Sequence, residues 1–314
     1  MPFPPTMSEL RDVAIVGGGP AGLTAGIWLA RYLHSVVLID SGDPRNWATR
    51  SINGFLGLPH IRPPELRALG REECRRYGVE LVDAIVDRVR RVGDEHFVLD
   101  LESGERYEAR RLVLAIGLRD NWPDIPGLDH VFGANAHVCP DCDGFECRDK
   151  KTVVVGTGRQ AVGLALNLTT WTSDIIICTN GEPANFDRDE YCQKLDALNI
   201  PVITDRITRI TSGGHSREIY SLELDSGMCL DADKLFFTFG QHAADDLGVQ
   251  LGCQRDADGQ IIVDGRYHTS VRNVFAAGDI VPGPQLAIAA ASDGAMVALA
   301  IHKSLVPEGR KLTR

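Results

Sequence analysis

A glycine-rich turn near the start of the chain is the feature that most restricts its fold. The turn runs Gly17-Gly18-Gly19-Pro20-Ala21-Gly22 and follows a short apolar, β-branched run at residues 12–16. In such a turn Gly17 permits the bend, Gly19 lets the backbone approach a pyrophosphate, and Gly22 lets the helix pack closely on the strand. The spacing predicts a strand, a phosphate-binding loop and a helix; the alternative is a glycine-rich turn without a ligand.

The segments after this turn complete a nucleotide-binding unit. A helix over residues 21–32 would direct its N-terminal N–H groups at the phosphates. Residues 35–40 form a second predicted strand that ends in Asp40, where a ribose-binding carboxylate is expected. Strand, loop, helix, strand and terminal acid therefore occur in the order that a βαβ dinucleotide-binding unit requires.

A distant segment favours FAD over NAD as the nucleotide. Residues 273–279 are an apolar run that closes in Gly278 and Asp279, and an alanine-rich helix is predicted over residues 286–301. Because FAD extends further than NAD, it recruits contacts from segments far apart in sequence. We expect Gly278 and Asp279 to reach ribityl or phosphate-linked groups, unless this segment is a plain strand–turn–helix corner.

A Cys-x-x-Cys pair lies between the first glycine-rich turn and a second one. Residues 139–144 read Cys-Pro-Asp-Cys-Asp-Gly, a pattern used either for zinc or for thiol redox chemistry. His137 and Cys147 are the nearest further zinc ligands, but their spacing does not reproduce a paired zinc motif. We therefore predict no metal. In the redox interpretation Asp143 is the acid–base for a thiol, and His137 is a candidate to tune the thiolate.

Composition and charge exclude several classes of function. The chain has 314 residues and a formal net charge of -10, which argues against nucleic acid or an anionic membrane as the main partner. No apolar stretch approaches the roughly 20 residues that span a bilayer. Residues 1–11 do not have the pattern of a secretory signal. Eight cysteines are too few and too scattered for a disulfide scaffold, so we expect a reducing, cytoplasmic compartment.

The order of these motifs resembles the low-molecular-weight thioredoxin reductase family. The segments that carry the resemblance are Val16–Gly22, Ala115–Gly117, Cys139–Phe145 and Ala276–Asp279. The resemblance implies an α/β fold with two three-layer dinucleotide-binding domains of the FAD/NAD(P)-disulfide-oxidoreductase type, the second inserted in the first.

The resemblance also implies the domain boundaries. Residues 1–130 and 255–314 would form a discontinuous FAD-binding domain. Residues 131–254 would form an NAD(P)-binding-like domain that carries the Cys-Pro-Asp-Cys motif. Members of the family are usually homodimers, so we expect a homodimer here.

The same resemblance assigns roles to the site residues. Cys142 would face the flavin ring, Cys139 would exchange with a substrate disulfide, and Asp143 would handle the proton. The expected partner is a thioredoxin-like protein or a small dithiol or disulfide. Together with the residues derived above, the expected FAD contacts are Gly17, Gly19, Pro20, Ala21, Gly22, Asp40, Ser41, Arg45, Asn46, Asn53, Ala115, Gly117, Gly278, Asp279, Gln285, Leu286 and Ala287.

The second glycine-rich turn departs from the family pattern. An apolar strand leads into Gly156-Thr157-Gly158, followed by Arg159 and Gln160, so we predict a second nucleotide-type loop. The next strand runs into Thr179 and Asn180, which provide neither an arginine for a 2′-phosphate nor an acid for a 2′-hydroxyl. We expect that NADPH does not reduce the flavin efficiently. A dithiol, a ferredoxin-type carrier or another donor would take its place.

Several alternatives stay open. Arg159 and Arg188 would supply the phosphate contacts of an ordinary NADPH-linked reductase, and the loop could instead hold NADH or a second flavin. Residues 40–57 resemble a divergent branch that contains dithiol oxidases and pyridine-nucleotide-independent reductases, so an oxygen-using oxidase of a small dithiol is a second hypothesis. Those oxidases usually carry a histidine where this chain has Asp143, which favours disulfide reduction. A flavin redox sensor is the non-enzymatic alternative.

Overall fold

The computed structural model describes residues 9–186, 189–213 and 217–310. The strands are β1 (Arg11–Val16), β2 (Val36–Asp40), β3 (Glu80–Asp83), β4 (Val86–Gly93), β5 (His96–Leu101), β6 (Arg106–Leu114), β7 (Leu118–Asp120), β8 (Ala136–His137), β9 (Thr152–Gly156), β10 (Ile175–Cys178), β11 (Val202–Ile203), β12 (Ile207–Ser212), β13 (Ile219–Leu224), β14 (Cys229–Leu230), β15 (Lys234–Thr238), β16 (Gln241–Ala243) and β17 (Val274–Ala276). The helices are α1 (Pro20–Arg31), α2 (Pro63–Arg76), α3 (Leu128–Val131), α4 (Pro140–Asp143), α5 (Gly158–Leu168), α6 (Asp189–Ala197), α7 (Leu247–Gln250) and α8 (Ala287–Leu305), with 3₁₀ turns at Phe145–Cys147 and Glu308–Arg310.

The chain divides into two compact units. The first holds the described residues up to Trp47, then Phe55–Arg119, then those from Gln241 onward. The second holds Ala48–Gly54 and Asp120–Gly240. These boundaries lie before positions 130 and 254, where the sequence places them, and the short segment Ala48–Gly54 joins the second unit rather than the first.

Side-chain packing explains where the chain changes unit. Ile125 and Leu128, which the sequence assigns to the first domain, are buried in the core of the second unit with Val153. Leu247, assigned by sequence to the inserted domain, is buried in the core of the first unit. The nucleotide role of each unit stays a proposal.

The first unit is built on a mainly parallel sheet. Its strand order is β3-β2-β1-β6-β5-β4, with β17 also paired to β6, and β4 and β5 run antiparallel. Side chains of β1 alternate between two cores, as the period of a strand requires. Val13 and Ile15 pack towards α1 and α8, while Ala14 and Val16 pack with the antiparallel strands. This arrangement places the turn after β1 at the carboxyl edge of the parallel strands.

The second unit repeats the layered plan around a parallel sheet of its own. The strand order is β11-β10-β9-β15-β8. Val154 faces α5 and α6, whereas Val153 and Val155 face the three-stranded sheet formed by β12, β13 and β14. Helix, parallel sheet and antiparallel sheet thus form three layers, and the predicted α/β fold class is confirmed.

Within the part of the chain that the structure describes, none of the helices combines the length and hydropathy needed to cross a membrane.

Candidate functional site

The turn after β1 has the geometry of a phosphate-binding loop. Gly17 has φ +107°, a left-handed conformation that favours glycine, and a Cβ atom there would lie 2.2 Å from the carbonyl oxygen of Ala115. A Cβ atom at Gly22 would lie 1.9 Å from the carbonyl oxygen of Gly17. At Gly19, by contrast, no described atom lies within 4 Å of the Cβ position. The loop is therefore closed against protein at two glycines and open at the third.

The helix after this turn begins directly after Gly19, the position expected for a phosphate-binding helix N-terminus. α1 begins at Pro20, whose missing N–H costs nothing at the first helical position. The next N–H groups are among those that a helix leaves without an intrahelical partner. The open side at Gly19 and the N-terminus of α1 together form a cradle that suits a pyrophosphate.

Asp40 ends β2 and is almost fully buried, with 6% of its surface exposed. Its Oδ1 accepts a hydrogen bond from the Gly18 amide at 3.1 Å, which ties the acid to the glycine-rich turn. Its Oδ2 is paired with the guanidinium groups of Arg67 and Arg71, both on α2. Two cations and an amide therefore offset the burial of this carboxylate.

The sequence motifs do not identify Arg67 and Arg71 as partners of Asp40. They lie 27 and 31 residues after Asp40, and nothing in the local sequence links α2 to the end of β2. Arg67 and Arg71 are four residues apart, which places both on one face of a helix. This spacing was the sequence pattern that could have indicated a paired role.

The corner after β17 also gathers predicted residues. Arg45 donates to Asp279 Oδ2 at 3.1 Å, to Gln285 Oε1 at 2.7 Å and to Gln241 Oε1 at 3.2 Å. Gly278 has φ +79° and its amide donates to Asp293 Oδ2 at 3.2 Å. Arg45 thus joins this corner to the segment that follows β2.

Most of the expected FAD contacts belong to one unit. The first unit contains Gly17, Gly19, Pro20, Ala21, Gly22, Asp40, Ser41, Arg45, Asn46, Ala115, Gly117, Gly278, Asp279, Gln285, Leu286 and Ala287. Asn53 differs, because it belongs to the second unit with the segment Ala48–Gly54. Its Nδ2 donates to the carbonyl oxygen of Cys142 at 3.3 Å and to Glu146 Oε1 at 3.2 Å.

The Cys-x-x-Cys pair forms a disulfide at the start of a short helix. Cys139 and Cys142 are bonded, with their Cα atoms 5.3 Å apart. Cys139 is the N-cap of α4, and its Sγ accepts a hydrogen bond from the Cys142 amide at 3.2 Å. Gly144 packs directly beneath Trp171, since a Cβ atom at this glycine would lie 2.6 Å from the indole ring. The turn is therefore fixed by its cap and by one aromatic ring.

Asp143 has a histidine as its neighbour. Its Oδ2 lies 3.3 Å from Nδ1 of His137, the last residue of β8. The histidine side chain is only 5% exposed, whereas the carboxylate is 20% exposed. The two residues flank the disulfide in sequence, and the fold brings their side chains together.

Two further ionisable groups lie close to this turn. Burial raises the pKa of the Cys147 thiol to about 12, so the thiol stays protonated at neutral pH. Its Sγ donates to the carbonyl oxygen of Asp143 at 3.2 Å. Burial also lowers the pKa of Lys234, whose Nζ donates to Ala134 and Asn135. Cys147 thus supports the turn as a thiol and is not part of the disulfide.

The second glycine-rich turn is occupied by its own chain. The amide of Gly158 donates a hydrogen bond to the carbonyl oxygen of Ala184 at 2.8 Å. A Cβ atom at Gly158 would lie 3.6 Å from the carbonyl oxygen of Asn185. Gly156 keeps the tight turn, because a Cβ atom there would lie 2.9 Å from Thr238. The segment 181–186 therefore lies against the position that corresponds to the open Gly19 of the first turn.

The polar residues after β10 also bond within the protein. Thr179 is fully buried and its Oγ1 donates to the carbonyl oxygen of Glu182 at 2.5 Å. Asn180 Oδ1 accepts from the Ile207 amide at 2.9 Å. Arg159 and Gln160 are exposed in the first turn of α5. Arg188, the other candidate for a 2′-phosphate, lies outside the described residues.

Comparison with known proteins decides the family. The family model described as pyridine nucleotide-disulphide oxidoreductase matches residues 11–294. The chain belongs to this family. It is a flavin disulfide oxidoreductase of thioredoxin reductase type.

Individual family members match along nearly the whole chain. A thioredoxin reductase from Helicobacter pylori is 30% identical over 304 residues, covering 92% of this chain and 97% of the relative. The crystal structure of HlmI has a TM-score of 0.89 at 34% identity, covering 96% of this chain and 95% of that one. Thioredoxin reductase from Streptococcus pyogenes has a TM-score of 0.86 at 25% identity, covering 94% and 98%.

Membership of the pyridine nucleotide-disulphide oxidoreductase family implies FAD and a pyridine nucleotide, and the two loops differ in their fit. The first unit offers an open glycine, a helix N-terminus and a buried acid at a strand end, which suit a dinucleotide. In the second unit the matching glycine already bonds to protein. FAD therefore fits the residues of the first turn, whereas the Gly158 amide of the second turn already donates to the Ala184 carbonyl oxygen.

The possible metal ligands named from the sequence make other contacts in the structure. Both cysteines of the pair are in the disulfide, His137 Nδ1 lies 3.3 Å from Asp143 Oδ2, and the Cys147 thiol donates to the Asp143 carbonyl oxygen. Across residues 9–186, 189–213 and 217–310, no group of three or more His, Cys, Asp or Glu side chains is arranged to hold a metal ion.

Proposed function

We propose that this protein is an FAD-dependent dithiol–disulfide oxidoreductase whose flavin is not efficiently reduced by NADPH. The hydrogen bond from the Gly158 amide to the Ala184 carbonyl carries this proposal. A dinucleotide phosphate needs the second glycine of the turn to be open, because the backbone must approach the pyrophosphate there. To bind NADPH, the segment 181–186 would have to leave this position.

The two turns of this chain provide an internal comparison. In the first, no described atom stands within 4 Å of the Cβ position at Gly19. In the second, Gly158 meets Asn185 and Ala184. Both turns follow a parallel strand and precede a helix, so the difference lies in the covering segment and not in the fold.

The residues at the carboxyl ends of β2 and β10 also differ, in charge. Asp40 closes β2 with a charged carboxylate, whereas the residue at the matching position after β10 is the buried, neutral Thr179. A 2′-phosphate depends on charge-assisted hydrogen bonds from arginine or lysine. Thr179 and Asn180 supply none, and both already bond to the protein.

The redox chemistry belongs to the Cys139–Cys142 pair. In the reducing direction, the Cys139 thiolate attacks a substrate disulfide; a Cys139–substrate bond forms, the substrate S–S bond breaks and one substrate thiolate leaves. Cys142 then attacks Cys139 Sγ, the protein disulfide forms and the second thiolate leaves. Two electrons pass from the dithiol to the substrate, and Asp143 passes the Cys142 proton to the departing thiolate.

FAD, when bound, supplies two-electron transfer to or from the protein disulfide. The residues that would hold it are the first-turn glycines, Asp40, Gly278 and Asp279. Because Arg45 bonds to Asp279 and Gln285 at this corner, it would orient both towards the cofactor.

The substrate and setting are part of the proposal. Relatives named thioredoxin reductase support a thioredoxin-like protein or a small dithiol or disulfide as partner. A dithiol or a ferredoxin-type carrier would replace NADPH as electron donor, as in the divergent branch of the family. We further propose a homodimer in a reducing, cytoplasmic compartment, because six cysteines of the described chain are free thiols.

Anaerobic stopped-flow mixing of the holoprotein with micromolar NADPH, NADH or a dithiol tests this function. We expect the dithiol to bleach the flavin and NADPH to leave it oxidised for many seconds. The dithiol arm shows that the same preparation is redox-competent. Complete bleaching by NADPH within a second would make the protein an ordinary NADPH-linked reductase. Oxygen uptake with peroxide release during dithiol turnover would make it an oxidase, and no turnover in any arm would make it a sensor.

A further inference from the structure

One buried histidine beside the disulfide has an unusual hydrogen-bonding state. His137 Nδ1 lies 3.3 Å from Asp143 Oδ2. Its other ring nitrogen, Nε2, is buried and finds no hydrogen-bond partner among the residues that the structure describes. Buried polar atoms without a partner are rare in folded proteins and call for an explanation.

The fold holds both members of this pair in place. His137 ends β8, where its register partner on β15 is Phe236, and the two rings lie 5.3 Å apart. Asp143 ends α4, directly after Cys142, and its amide donates to the Cys139 carbonyl at 3.2 Å. The histidine is therefore fixed by the sheet, and the carboxylate by the turn that contains the disulfide.

We propose that His137 is a positioning residue that holds the Asp143 carboxylate for proton transfer at the dithiol. Nδ1 of the ring faces Oδ2 at 3.3 Å, which leaves the other carboxylate oxygen for a thiol. The inference rests on the proposed redox role of Cys139 and Cys142.

Other ionisable groups lie near Asp143, but they do not take the position of the His137 ring beside its carboxylate. Lys234 on β15, Glu146 and Cys147 on the following 3₁₀ turn, and Arg50 on the segment Ala48–Gly54 form one electrostatic group around the turn. The Lys234 ammonium is engaged by Ala134 and Asn135, and Cys147 stays a thiol. The His137 ring, in contrast, places its Nδ1 atom 3.3 Å from Asp143 Oδ2.

Thiol–disulfide exchange by the reduced holoprotein tests the role without any nucleotide. The protein is reduced with dithiothreitol, desalted anaerobically and mixed with the aromatic disulfide dithiobis-nitrobenzoate. Cys192 and Cys229 are also exposed free thiols, so serine replaces both in every variant tested. The first nitrothiophenolate released then reports attack by Cys139. The second reports ring closure by Cys142, the step in which Asp143 takes a proton. Both rates are measured across pH.

Three replacements of His137 separate positioning from packing. Asparagine places an amide near the Nδ1 position, glutamine places one near the Nε2 position, and leucine removes both. We expect His137→Leu and His137→Gln to slow the second release about tenfold at neutral pH, because full loss of general acid–base catalysis costs roughly 100-fold or more. His137→Asn should keep most of the wild-type rate and profile.

A double-mutant comparison shows whether the effect passes through Asp143. In an Asp143→Asn background, His137→Leu should cause no further loss, since the group that it positions is gone. An equal loss in both backgrounds, or three His137 variants that behave alike, would overturn the inference. If instead the wild type releases nitrothiophenolate no faster than its Cys139→Ser variant, the proposed redox role itself fails.

Discussion

A Cβ atom at Gly294 of α8 would lie 2.1 Å from the carbonyl oxygen of Ala21 in α1. The two helices therefore touch backbone to backbone directly behind the first glycine-rich turn. Real Cβ contacts to backbone oxygen are never this short, so any side chain at 294 must push the helices apart. This contact sets where the N-terminus of α1, and with it the predicted phosphate cradle, is held.

The first prediction compares two helical glycines. Gly294→Ala should lower the free energy of unfolding by about 1–3 kcal/mol, because overpacking forces backbone shifts. Gly163→Ala in α5 is the matched control, since no described atom lies within 4 Å of its Cβ position. Alanine there should raise stability by about 0.5–1 kcal/mol through better helix propensity. Urea unfolding measures both, and equal stabilisation of the two variants would contradict the close contact.

The second prediction concerns the cofactor. We expect the purified protein to carry tightly bound, non-covalent FAD, which is released by heat and identified by chromatography. Gly19→Val should reduce bound flavin at least tenfold, because its side chain would fill the open position that the pyrophosphate needs. Gly265→Val, at an exposed glycine with equally open surroundings, should retain FAD. Recovery of FMN, or flavin retained in Gly19→Val, would contradict this assignment.

The cysteine assignment gives a third prediction. Family resemblance places Cys142 at the flavin, so Cys139→Ser should leave a Cys142 thiolate that gives a long-wavelength charge-transfer band with oxidised flavin. Cys147→Ser is the control and should give no band, because Cys139 and Cys142 stay joined in their disulfide and no Cys142 thiolate is free. The visible absorbance spectrum decides the matter. A band in Cys142→Ser instead would reverse the roles of the two cysteines.

Local motifs carried most of what the sequence could predict. The glycines of the first turn, Asp40 and the cysteine pair each stand at a characteristic spacing within a short sequence pattern. Spacing along the chain is therefore enough to identify them. The layered fold follows in the same way, because apolar strands and the turns between them alternate in a regular order.

Long-range contacts could not be predicted from the sequence. Asn53 donates to Cys142, which lies 89 positions further along the chain, and Arg67 on α2 reaches Asp40 at the end of β2. The covering of Gly158 depends on the backbone carbonyls of Ala184 and Asn185, groups that every residue has. No residue type at these positions signals the contact. Only tertiary structure shows it.

The last prediction concerns stability at low pH and a histidine pair in the first unit. His34 Nε2 lies 3.1 Å from His302 Nδ1, and Tyr32 stacks on the His302 ring with centroids 4.1 Å apart. Burial lowers the pKa of His34, and His302 adds to this, while Asp12 opposes it at 3.9 Å. The native pKa therefore lies below the unfolded value of 6.5.

The sign of the effect follows from proton linkage. Below the unfolded pKa, the unfolded chain binds more protons at this site than the native protein, so the free energy of unfolding falls as the pH falls. The contribution is complete above about pH 6.5 and is lost as the pH drops through the native pKa. We expect the urea midpoint of the wild type to be lower at about pH 5.5 than at about pH 7.5. We expect His34→Gln to reduce this difference. His242→Gln, at an exposed histidine, should leave the wild-type difference between the two pH values unchanged. A His34→Gln midpoint that falls as steeply as the wild type would show that the buried pair does not control acid stability, because a glutamine at this position has no proton to bind.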